Sequence, residues 1–111
     1  MEHRNLVILR KVLSEIDIAE QILSDRTLEE FLADELRKRA VCMTVINIGE
    51  LVKSLSDDFR LQHTDIPWKE IAGFRDIAAH KYQTLRMDDV FETVHAEFPP
   101  LRQQLQALLD E

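Results

Sequence analysis

Five punctuating residues constrain this chain more than any other feature: two glycines, Gly49 and Gly73, and three prolines, Pro67, Pro99 and Pro100, in 111 residues. A many-stranded sheet needs frequent turns, and turns draw on glycine and proline for backbone angles that other residues resist. So few of them leave long uninterrupted stretches, and an all-α chain is the economical solution. This length predicts a single domain, residues 1–111, with a core of its own. An apolar share of 45% argues against disorder.

Apolar residues keep helical spacing from about Arg4 to Leu23, with Leu6, Leu9, Leu13, Ile16, Ile18 and Ile22 on the apolar face. SDRT interrupts this run, and Thr27 with Glu30 has the spacing of a capping box that restarts a helix. The second helix, with a short break near Asp34, is expected to reach about Leu55. Val41, Val45, Ile48, Val52 and Leu55 recur at steps of four and three and form a core stripe. Asn47, Glu50 and Ser54 make a polar row on another face, either solvated or lining a site. Gly49 costs about 1 kcal/mol relative to alanine in a helix interior, so its presence points to close backbone packing nearby.

SDDFRLQHTDIPWKE reads as the longest connection, with Asp65 and Pro67 starting a third helix. Trp68, Ile71, Phe74 and Ala78 pack inward from it. QTLRMDDV then reads as a loop with a cap at Asp88, followed by a helix that Pro99 and Pro100 end or kink, and by a last amphipathic segment. The expected architecture is a bundle of four to five helices.

With 14 basic against 21 acidic residues, the net charge of −7 repels a polyanion at long range. A general nucleic-acid coat protein is excluded, while a small focused basic site is not. The single cysteine, Cys42, excludes an internal disulfide and suits a reducing, cytoplasmic setting; its apolar neighbours make it a buried thiol. MEHRNLVILRKVLSEI fits neither a signal peptide nor a membrane span. His3, His63, His80 and His95 lack metal-ligand spacing, and no glycine-rich phosphate loop or nucleophile elbow is present.

The candidate site is FRDIAAHKY, Phe74 to Tyr82, which gathers Arg75, Asp76, His80, Lys81 and the only tyrosine. At about 100° per residue, Arg75 and Tyr82 share a face if the helix lasts that long. Arg75 and His80 are about 140° out of phase. They meet only if Arg75 reaches round, the helix loosens, or a second copy contributes. Asp76, four residues before His80, can accept a hydrogen bond from its ring and fix the tautomer. Ala72, Gly73, Ala78 and Ala79 leave room for a helix or a substrate backbone. The bland alternative is two surface charges and a helix-end histidine favoured by the dipole.

IPWKEIAGFRDIAAHKY resembles the signature of HepT-like toxins of the HEPN superfamily: arginine, four residues, histidine, one residue, tyrosine, after an IPW helix start. INIGELVKSLS is similar to the family's IGE segment on the preceding long helix. The resemblance implies a HEPN-type bundle with an antiparallel core and a homodimer whose motifs meet across the interface. It implies a metal-independent endoribonuclease toxin needing no cofactor, with RNA as substrate and neither DNA nor membrane as partner. Arg75 would bind and polarise the scissile phosphate, and His80 would act as acid or base, leaving a 2′,3′-cyclic phosphate and a 5′-hydroxyl. Asp76, Lys81, Asn47 and Glu50 would support the site. Tyr82 would be the switch, receiving AMP from a minimal nucleotidyltransferase antitoxin of the MntA type. Asp76 stands where the family often has asparagine, so it either orients His80 or repels RNA. The alternative is a non-catalytic helical adaptor that presents Tyr82 or a nucleotide to the nucleotidyltransferase.

Overall fold

The computed structural model describes residues 1–111, all of them in helices, turns and short connections. Helix α1 (His3–Leu23) buries Leu9, Val12, Ile16, Ala19 and Leu23, a stripe at steps of three and four. That stripe sets the inward direction, so Ile18, about 200° from Ile16, faces solvent, contrary to the sequence expectation. Leu6, Leu13 and Ile22 are half-buried on its flanks. The capping box is present: Glu30 N–H donates to Thr27 Oγ1 at 3.1 Å, and Thr27 N–H donates to Glu30 Oε1 at 2.9 Å. It opens α2 (Leu28–Leu32), which seats Phe31 in the core. The break near Asp34 also forms, because Asp34 caps α3 (Glu35–Lys53) by accepting from Arg37 N–H at 3.1 Å.

Helix α3 lies between α1 and α5 (Trp68–His80), so the expected stripe Val41, Val45, Ile48, Val52 and Leu55 is buried from two sides. It runs antiparallel to α1: Asn47 donates to Glu15 at 3.2 Å near one level, and buried Asn5 bonds Ser56 at another, through Ser56 Oγ at 3.2 Å and Ser56 N–H at 3.3 Å. The stretch read as one long connection contains α4 (Asp57–Gln62). Ser56 caps it by accepting from Phe59 N–H at 3.2 Å, and Phe59 is buried against Trp68. Helix α5 then starts with Pro67, not Asp65, in the cap position. The Trp68 indole N–H donates to the His63 carbonyl at 2.9 Å, which fixes the entry to α5.

The last part of the chain is α6 (Met87–Glu92), a wide π turn (Thr93–Glu97) and α7 (Phe98–Leu109). Asp88 lies inside the first turn of α6 and Arg86 takes the cap position, another departure from the sequence reading. Pro99 and Pro100 do not end the helix. They sit in the first turn of α7, where an N–H is dispensable, and Phe98 N–H reaches back five residues to the Thr93 carbonyl. Arg102 on α7 pairs with Asp17 and Glu20 on α1, joining the last helix to the first. The four long helices α1, α3, α5 and α7 share one core of 23 buried residues, the remaining helices being connectors of five or six residues. No helix is long and apolar enough to cross a membrane.

Candidate functional site

The crossing of α3 over α5 is a close backbone contact. A Cβ placed on Gly49 would lie 2.0 Å from Arg75 Cβ and 2.5 Å from Arg75 Cγ, so no residue but glycine fits without moving a helix. The close packing expected from Gly49 is therefore found, and it clamps the root of the arginine. Beyond this clamp the Arg75 side chain is only 19% exposed, and its guanidinium is held by carboxylates from two helices. Glu50 on α3 pairs with Nη2 at 2.5 Å, and Asp76 on α5 pairs with Nη1 at 3.1 Å. Buried Arg75 Nε has no partner.

Nη1 also lies 3.4 Å from His80 Nε2. Of the three ways in which these residues could meet, the arginine reaching round is the one realised, within one chain. His80 closes α5 as an exposed residue. Asp76 makes no hydrogen bond to His80. Its Oδ1 instead accepts from Lys53 Nζ at 2.7 Å and from Arg75, and these contacts, Lys53 first, hold its carboxyl below the usual carboxylate range. Lys53 had escaped the sequence reading. Its signal was its position three residues after Glu50, on the side of α3 that meets α5.

Tyr82 does not share a helix face with Arg75. Helix α5 stops at His80, Lys81 leaves helical geometry at φ −134°, and Tyr82 opens a 3₁₀ turn (Tyr82–Thr84). The turn carries the tyrosine to the start of α3, where its hydroxyl donates to Glu35 Oε1 at 3.3 Å and the Arg39 guanidinium lies 4.9 Å from its ring centre. Partial burial and then the Glu35 charge push the phenol up. Lys81 is exposed, and its side chain enters no ion pair. Asn47 turns away to Glu15 on α1, so of the polar row only Glu50 joins the arginine. Ser54 Oγ donates to the Glu50 carbonyl at 3.2 Å.

The remaining reactive side chains are occupied. Cys42 is buried with Sγ 4.0 Å from Met87 Sδ, and burial pushes its thiol up to about 11. His63 packs on Phe59, and His95 meets Phe91 edge to face at 4.4 Å. No three His, Cys, Asp or Glu side chains gather in a metal-binding group.

A family model described as Ribonuclease HepT-like matches residues 12–108. The chain belongs to the HepT-like ribonuclease family. Both stretches that carried the resemblance, Ile46–Ser56 and Ile66–Tyr82, lie inside the matched range. Among relatives, "Putative RNase TTE0752" of Caldanaerobacter subterraneus subsp. tengcongensis is 34% identical, over 93% of this chain and 92% of its own length. "Probable ribonuclease HepT" of Thermococcus cleftensis is 30% identical, over 90% of this chain and 91% of its own. The longer "Gamma-glutamylcyclotransferase and putative RNase MJ0434" of Methanocaldococcus jannaschii is 30% identical over 95% of this chain, which spans only 47% of that relative. No solved structure matches. In this HepT-like chain, the arginine and histidine of the motif stand together on α5, and the motif tyrosine stands apart, in the turn that packs against the start of α3.

Proposed function

We propose that the chain is an endoribonuclease of the toxin type that cleaves RNA by acid–base chemistry at Arg75 and His80, without a metal ion. The observation that carries this reading is the 3.4 Å approach of Arg75 Nη1 to His80 Nε2 at an exposed helix end in a HepT-like chain. A guanidinium there can hold the scissile phosphate while the imidazole takes the 2′-hydroxyl proton or protonates the leaving 5′-oxygen. The products are a 2′,3′-cyclic phosphate and a 5′-hydroxyl.

The active unit is a homodimer in this reading. Leu36 and Met43 on α3 and Ile77 on α5 are large apolar residues exposed on the two helices that carry the site. A two-fold axis that sets these helices against their copies would cover them and bring two histidines together, one to act as base and the other as acid. Tyr82 is the position for AMP transfer by a cognate MntA-type nucleotidyltransferase, which adds a phosphate and its charge.

Purified chain should cleave RNA with chelator present, and Arg75→Ala and His80→Ala should abolish cleavage while leaving the helical signal intact. RNA left whole by well-folded wild type would favour the adaptor reading, which draws on the carboxylates already seated on Arg75. Mass spectrometry after incubation with the nucleotidyltransferase and ATP tests Tyr82, since neutralisation without modification there would sink that role.

A further inference from the structure

We propose that Lys53 is a second phosphate-binding cation of this site, an inference that rests on the ribonuclease reading. Three nitrogen groups converge beside α5. Lys53 Nζ and Arg75 Nη1 both bind Asp76 Oδ1, at 2.7 and 3.1 Å, and the same Nη1 lies 3.4 Å from His80 Nε2. One acidic oxygen thus occupies the point between two cations, one of which also reaches the histidine, and an oxygen of the scissile phosphate can take that place.

The two carboxylates on Arg75 have different parts. Glu50 holds Nη2 from α3 and turns the flat guanidinium so that Nη1 faces His80. Asp76 holds the nitrogen that the phosphate needs. It is short and half exposed, so rotation about its own side chain clears the position. With Asp76 displaced, Lys53 is left without a partner on α5 and turns to the incoming anion.

The surroundings leave room for a nucleotide chain. Lys53 borders an open groove of about 1,090 Å³ that runs along α5, whose walls carry Arg60 and Lys69 as well as the acids Asp57, Asp65, Glu70 and Asp76. Nothing lies within 4 Å of the position a Gly73 Cβ would take, so a sugar–phosphate backbone can come close to α5 there. Arg60 is neutralised by Asp57 at 2.5 Å, whereas Lys53 is bound only to the carboxylate that the substrate replaces.

The test uses full-length chain and a short fluorescein-labelled single-stranded RNA. Lys53→Met keeps the aliphatic stem and removes the charge, and Lys53→Arg restores a cation. For Lys53→Met we expect KM to rise about tenfold with kcat changed less than about threefold, the loss of one charge-assisted contact to bound phosphate. Binding is read on the His80→Ala background to prevent turnover, where Lys53→Met should make the log–log salt dependence shallower by about 0.7, the value of one phosphate contact on a single strand. Lys53→Arg should recover both readouts, which a purely structural role for the Lys53–Asp76 pair predicts only for stability. Wild-type KM and salt slope in Lys53→Met, on a chain that cleaves RNA, would overturn the assignment and leave the ribonuclease reading standing. Wild type that neither cleaves nor binds RNA would overturn both.

Discussion

Replacing Gly49 with alanine adds one methyl group at a place where the structure has no room for it. The new carbon would lie 2.0 Å from Arg75 Cβ, whereas carbon atoms in contact sit about 3.5–4.0 Å apart, so α3 and α5 must separate by roughly 1.5 Å. Alanine in a helix interior is favoured over glycine by about 1 kcal/mol, and forcing a methyl into a packed contact costs about 1–3 kcal/mol. The net effect on stability is a loss of about 0–2 kcal/mol, at roughly 4 °C of Tm per kcal/mol for a domain of this size. Gly73→Ala is the matched control. It makes the same chemical change in the same helix class, with nothing within 4 Å of the new carbon and no positive φ. Its Tm should rise by about 4 °C.

Function should respond to Gly49→Ala more sharply still. Opening the crossing by even 1 Å moves the arginine root relative to His80 and Glu50, and misplacement on that scale costs about a hundredfold in rate. Thermal melts and initial rates of RNA cleavage for wild type and Gly49→Ala are the assay. A Gly49→Ala chain that melts above wild type, as Gly73→Ala is expected to do, would show that the crossing is not tight. A Gly49→Ala chain that melts lower yet cleaves at the wild-type rate would break the link between the crossing and the arginine.

Asp76→Asn should tighten RNA binding several-fold by removing the charge that occupies the phosphate position, as read by fluorescence anisotropy; weaker binding with slower cleavage would restore an orienting role. Thr27→Ala removes the hydroxyl half of the capping box and should cost about 1 kcal/mol in chemical denaturation, with cleavage unaffected because α2 lies away from Arg75. Cys42 should resist a thiol reagent at neutral pH in the native state and react fully once unfolded. Its folded thiol titrates near 11 against an ordinary 9.0, so the unfolded chain loses its proton first. The stability that this provides is whole below about pH 9 and falls as the pH rises toward 11. Cys42→Ala should flatten that alkaline decline.

Features governed by neighbours along one helix were legible in the sequence. The capping box at Thr27 and Glu30, the break at Asp34 and the stripe from Val41 to Leu55 all depend on spacings of three and four, and all are present. Gly49 was legible for a different reason: glycine inside a long helix is costly, and the cost pointed to a crossing whose partner only the fold could name. Features that depend on another helix were not legible. Asp76 turned to Lys53, 23 residues away, and not to the histidine one turn along its own helix. Tyr82 would share a face with Arg75 only if the helix lasted that far, and α5 ends at His80. Helix α4 was missed because a capping serine and one buried phenylalanine make too short a pattern to stand out from a loop.

The π turn at Thr93–Glu97 bears on how chains of this kind can differ in length. A turn closed over five residues, where an ordinary helix closes over four, holds one residue more than regular spacing needs. Removing one residue from this stretch would return it to ordinary helical spacing instead of breaking it, with Val90 before it and Leu101 and Leu105 after it still turned to the core. In an alignment of related sequences, a one-residue gap belongs here, beside the two prolines, and not in the α3–α5 crossing, where even a methyl group has no space.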